Sequence, residues 1–333
     1  MKKSITLILV FICVLFLAGC GAASQSTETK SDEYTPQLKF QFASKDEGRE
    51  LMFSNKDYYL GFSKNDLEFK LQKKDAMMTD YLDFAGKQVM DFTDEEKALV
   101  ERFMADMEDE LKNEGYDLPP LDEIIFIKTT MHEETGAAAY THGTQIYIGE
   151  QVLSRVLNGD KEDAEMCESI LWHELFHCLT RCNPDFRKNM YKLISFTVVE
   201  DDYEIPPSVF VYHISNPDVE HHNSYATFNI DGKDIDCFTD FVTTKHFEKK
   251  GDSFFDTGTT ALIPIDGSDI YYTPEEADNF DEVFGKNTDY VIDPEECMAD
   301  NFSFAMQYGK DGPEGKGYPT PEIINGIIDY CKK

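Results

Sequence analysis

Residues 170–179 read ILWHELFHCL, an apolar stretch interrupted only by His173, Glu174 and His177. On a helix, side chains four apart project from one face, so the two histidines lie together. Leu171, Leu175 and Leu179 form a stripe away from them, and Ile170, Trp172 and Phe176 fill the remaining faces. A helix that is apolar nearly all round belongs in a core. Two imidazoles and a carboxylate carried into a core need partners, because an unpaired buried charge is costly. Backbone carbonyls are the ordinary partners for such a histidine pair. A shared metal ion is the other, and zinc suits two imidazoles one turn apart, with Glu174 beside them within reach of a water in the same site.

A catalytic zinc usually takes three protein ligands, so a third must come from elsewhere. No further histidine follows at short spacing; the next is His213, in a strand-like segment. Among carboxylates, PEECMADNF (294–302) places Glu296 and Asp300 four apart on a predicted helix, facing the same way. Glu248 and Asp252 share that spacing, but Lys249, Lys250 and Gly251 between them argue against a buried helix. The rival is PEEADNF (274–280), whose Glu275 and Glu276 have no aspartate one turn on.

The HExxH pattern followed by a distant ExxxD resembles the gluzincins, the thermolysin-like zincin metallopeptidases. The resemblance covers the two helices and the hairpin before the first. It implies peptide-bond hydrolysis with Zn2+ held by His173, His177 and Glu296, with Glu275 or Glu276 as the alternative third ligand. It makes Glu174 the general base and Asp300 the acceptor that orients His173. It implies a zincin-like fold in which an edge strand beside the motif helix pairs with extended substrate, a place that TQIYIG (144–149) holds in the chain order. A further donor for the developing oxyanion is expected among Tyr225, Tyr272, Tyr290, His213, His221 and His222.

The N-terminus reads as an address rather than as fold. Lys2 and Lys3 precede an apolar run from Ile5 to Leu17, too short for an ordinary membrane span. Leu17-Ala18-Gly19-Cys20 resembles the lipobox of bacterial lipoproteins, which implies a signal peptide at 1–19, a diacylglyceryl anchor on Cys20 and attachment to the outer face of the cell membrane. Residues 20–36 are small and polar, a tether. The formal charge of −33, from 31 basic and 64 acidic residues, repels nucleic acid and leaves it no part as a partner. Setting Cys13 and Cys20 aside leaves six cysteines; Cys178 and Cys182, one turn apart on one helix, are not placed to bond each other.

Residues 37–333 then form one α+β domain. Strands are expected at 38–42, 49–54 and 58–72, a helix at 94–114 bounded by Thr93, Glu96 and Gly115, and a strand at 121–130. GAAAYT and TQIYIG flank His142-Gly143 as a hairpin. Helices follow at 150–157, at 163–181 and after Pro184. From 206 to 272, VFVYHI, YATFNID, CFTDFV and TALIPI make a β-rich insertion, and the chain returns to helix for 274–284, 293–309 and 321–333. The competing reading is a non-catalytic surface lipoprotein that binds a partner and holds a structural zinc.

Overall fold

The computed structural model describes residues 34–159 and 161–332. The signal-like segment, Cys20 and most of the tether lie outside the described residues. A short strand, β1 (Phe40–Phe42), is followed by four helices: α1 (Lys45–Ser54), α2 (Lys56–Leu60), α3 (Lys64–Leu71) and α4 (Met78–Ala85). The sequence reading puts strands at 49–54 and 58–72, and these are corrected to helix. The physical reason is capping: Ser44 and Glu47 close a reciprocal box at the start of α1, and Ser63 accepts from the Asp66 amide at the start of α3. Two satisfied helix starts outweigh the β preference of the aromatic residues between them.

Strand β2 (Val89–Met90) leads into α5 (Asp94–Glu114), which begins at the Thr93–Glu96 box and ends at Gly115 in the left-handed conformation, as read. Then come β3 (Ile124–Thr129), β4 (Ala139–His142) and β5 (Gln145–Gly149). The sheet runs β1-β3-β5-β4, with β2 continuing along the β1 edge of β3. It is mixed: β1, β3 and β5 are parallel, β2 and β4 antiparallel. Ile124, Phe126, Ile146 and Ile148 enter the large core with α5, while Ile127 and Tyr147 enter a second core with the α1–α4 helices. TQIYIG is therefore an inner strand and not the edge. Its apolar side chains suit burial on both faces, and the edge falls to β4.

Helix α6 (Glu150–Asn158) precedes α7 (Lys161–Cys182), which carries the histidine motif, and α8 (Pro184–Lys192). The insertion supplies β7 (Ser224–Ile230), β8 (Lys233–Thr243) and β9 (Gly258–Pro264) to a four-stranded antiparallel sheet whose edge strand β6 (Thr197–Val198) precedes it. VFVYHI is a second correction: it starts inside a helical turn, α9 (Pro207–Phe210), because Pro206 and Pro207 preset φ for a helix start. Only His213 keeps a strand-type bridge, to Val242. Residues 274–284 form a single 3-10 turn and the short α10 (Phe280–Phe284). Helices α11 (Pro294–Tyr308) and α12 (Pro321–Cys331) close the fold. The six cysteines from Cys167 onward are free thiols, Cys178 and Cys182 included.

Helices α7 and α11 pack face to face in the large core. Trp172 and Phe176 meet Phe302 with ring centroids 6.3 and 5.6 Å apart, and Leu171, Leu175 and Leu179 are buried with them. This contact brings the polar faces of the two helices together.

Candidate metal centre

Helix α7 turns His173, Glu174 and His177 toward the first two turns of α11. Asp293 caps α11, its carboxylate accepting from the Glu295 amide at 2.8 Å, and Pro294 occupies the first helical position. Glu295 and Glu296 thus sit in the first turn, where the helix dipole favours carboxylates. Both are buried.

Each imidazole has one nitrogen held from behind. His173 Nδ1 lies 2.8 Å from Asp300 Oδ1, and His177 Nδ1 lies 3.0 Å from Glu295 Oε1. With a metal between the rings, an N–H donated to each carboxylate would leave the opposite nitrogens free to act as bases. Those nitrogens converge on Glu296: His173 Nε2 is 3.0 Å and His177 Nε2 3.6 Å from Glu296 Oε2. The three atoms lie within 4.8 Å of one another, a group that can hold a metal ion. His177 Nε2 is fully buried and has no hydrogen-bond partner. A buried nitrogen left unpaired in this way is what a metal would satisfy. The site residues read from the sequence are thereby brought together, Asp300 included. Glu276 instead accepts from the Thr273 amide at 2.8 Å on the surface, and neither it nor Glu275 belongs to the cluster.

The buried charges of the pocket act strongly on one another. Burial alone would raise the Glu296 carboxyl, but the two imidazoles hold it far below the usual carboxylate range. Burial works the same way on Glu295, and Arg181 and His177 bring it down to about 2. Glu295 is held by the Thr180 and Tyr191 hydroxyls and the Arg181 guanidinium as well as by His177. Burial opposes protonation of His177, yet Asp218 and Glu295 lift it to about 9. Glu174 goes the other way, raised chiefly by burial. Its Oε2 accepts from the Thr141 hydroxyl at 2.7 Å, so β4 fixes the orientation of this carboxylate.

Sequence reasoning missed four of these residues. Glu295 had a signal, since a second imidazole one turn from the first needs its own acceptor and Glu295 adjoins Glu296. Thr141, Asn216 and Asp218 had none. Asn216 donates its amide to Glu296 Oε1, which also accepts from the Tyr290 hydroxyl at 3.0 Å. Asp218 forms a second group with Glu174 and His177, again within 4.8 Å. Of the expected oxyanion donors only Tyr290 touches the cluster. His213 is bound to Asp240 and Ser215, His221 to Asp202, and His222 to the Thr239 carbonyl.

The chain matches no model of a known protein family, no curated protein and no solved structure.

Proposed function

We propose that this protein is a zinc metallopeptidase of the gluzincin type, exported and anchored to the cell membrane through Cys20. The observation that carries the reading is the unpartnered Nε2 of His177, buried and facing Glu296 while carboxylates hold the outer nitrogen of both imidazoles. Two imidazoles with one carboxylate form a donor set that suits zinc over calcium or magnesium. An antiparallel edge strand, β4, running beside the motif helix also fits a zincin-like arrangement.

Zinc in this cluster supplies Lewis acidity toward the scissile carbonyl and the attacking water. Glu174, oriented by Thr141 and raised by burial, takes the proton of that water and passes it to the departing amine. Asp300 and Glu295 act through the histidines, keeping each ring in the tautomer whose Nε2 is unprotonated. Tyr290, half-exposed beside Glu296, is the donor best placed for the developing oxyanion.

The test measures zinc content and peptide cleavage in four chains: wild type, Glu174→Gln, Glu296→Ala and Glu276→Ala. Glu174→Gln is expected to keep the metal and lose at least about 100-fold in kcat. Glu296→Ala is expected to lose the metal, and Glu276→Ala to behave as wild type. Cleavage that survives Glu174→Gln removes the reading. One observation favours the second reading, a partner-binding lipoprotein with a structural zinc: Asp218 Oδ1 stands 3.9 Å from His177 Nε2, close to the place of a fourth ligand.

A further inference from the structure

The outward-facing Thr141 amide of β4 is already taken. In the β4–β5 ladder Tyr140 pairs with Tyr147 and His142 with Gln145, and the Thr141 amide turns away from β5. It donates to Asp218 Oδ1 at 2.6 Å. Two residues on, in the turn that follows β4, the Gly143 amide donates to Glu220 Oε1 at 2.8 Å. Alternate amides along a sheet edge are the groups that an extended peptide uses when it adds as a further strand. Here two side-chain carboxylates of the chain itself, also two residues apart, stand in for the carbonyls of such a peptide.

The same segment reaches the metal cluster. Asn216 donates to Glu296, and the Asp218 carboxylate lies against Glu174 and His177. Arg181, at the end of the motif helix, holds the Asp218 carbonyl. The Asp218 amide closes on Asn216 Oδ1 at 2.9 Å, which makes 216–218 a tight turn. Both ends are anchored outside the centre. His213 is fixed between Asp240 and Ser215 at 2.8 and 3.0 Å, and Asn223 accepts from Arg187 at 2.7 Å and donates to the Val199 carbonyl. Between these anchors, the contacts with β4 and the cluster are polar ones. A cavity of about 480 Å³ borders the segment through Asn216, Pro217, Val219 and Glu220, with Tyr58, His142 and Asp240 among its other walls. None of the three candidate ligands lines that cavity, so the segment has room beside it that is not the metal cluster.

We propose that residues 216–220 are a displaceable plug, bound in the substrate's place along β4 and over Glu174, so that the structure is the closed form of the site. The plug rests on the metallopeptidase reading. It makes opening of this turn, with release of the Thr141 and Gly143 amides, a requirement for an extended peptide to bind. It also accounts for Asp218 beside His177 without a structural zinc: the carboxylate that resembles a fourth ligand belongs to the part that leaves.

The test uses the zinc-loaded full chain and a peptide hydroxamate, which carries an extended backbone and its own metal-binding group. Binding is measured by calorimetry in wild type and in Asp218→Ala/Glu220→Ala, with casein cleavage and hydrogen exchange alongside. The double variant is expected to bind the hydroxamate at least tenfold tighter, to cleave faster, and to exchange the Thr141 and Gly143 amides faster. If it does not fold, Asp218→Asn/Glu220→Gln keeps the volumes and carries the test in the same direction. Equal or weaker hydroxamate binding overturns the plug. So does a loss of cleavage with binding unchanged, which would place Asp218 in the chemistry. Neither result touches the metallopeptidase reading, which falls instead if wild type holds no zinc or if Glu174→Gln cleaves as wild type does.

Discussion

Glu133 shows at the scale of one residue how burial sets chemistry in this chain. It is 1% exposed beneath the sheet, with Oε1 accepting from Tyr140 at 3.2 Å and Oε2 without a partner. Burial raises its carboxyl to about 7, against about 4.3 in an unfolded chain. Between those values the folded protein binds the extra proton, so stability is lost as pH rises through the window. Glu133→Gln keeps the volume and removes the ionisation. Its melting temperature is expected to exceed that of wild type at pH 8, by an amount worth roughly 3–4 kcal/mol, with the gap narrowing at pH 5. Thermal melts of both chains at the two pH values check this, and a gap of constant size would mean that Glu133 ionises as readily in the fold as in the unfolded chain. Glu174 lies under the same pressure but has the two imidazoles and the Thr141 hydroxyl to offset it, the kind of environment that the proposed proton transfer needs.

Among the elements, the α7–α11 pair decides whether the cluster forms at all, since His173, His177 and Glu296 all come from one or the other. Phe302 is fully buried between them against Trp172, Phe176 and Phe186. Phe302→Ala is expected to cost about 3–5 kcal/mol in denaturant unfolding, and to weaken zinc binding as α11 loosens against α7. Unchanged metal affinity at reduced stability would mean that the ligand geometry is set locally and not by this packing. Both helices were legible in the sequence for the same reason that they pair. Their signals are local: an HExxH within an apolar run, an Asp-Pro start, and carboxylates four apart. Helices α1 to α3 were misread because YYLGF and LEFKL carry β-type residues, while the caps at Ser44 and Ser63 that decide the matter went unweighted. The edge strand was misassigned between β4 and β5 because strand order in a sheet is a long-range property; both strands alternate, and only their pairing with β3 separates them. Asp218 was invisible for the same reason, being 41 residues from His177 and joined to it only by the fold.

For the molecule as a whole, the cluster lies where the motif helix, the edge of the first sheet and the insertion meet, so a metal held there would be linked to the fold. His177 Nε2 is a buried nitrogen without a partner, and Glu296 faces both imidazoles, an arrangement that a bound cation would satisfy. A ligand that binds only the folded state stabilises it by RT ln(1 + [L]/Kd), about 4 kcal/mol at a thousandfold excess over Kd. A chelator is therefore expected to lower the melting temperature of wild type, and returning zinc to restore it. Calcium is the discriminating control, because a chain of formal charge −33 gathers divalent cations on its surface carboxylates whatever its site. Calcium prefers oxygen donors, and a cluster with two imidazoles offers it little. Zinc restoring the melting temperature where calcium does not ties the effect to His173, His177 and Glu296. In Glu296→Ala both the chelator effect and its reversal are expected to vanish. Restoration by calcium, or a chelator effect that persists in Glu296→Ala, would place the stabilising ion elsewhere on the acidic surface.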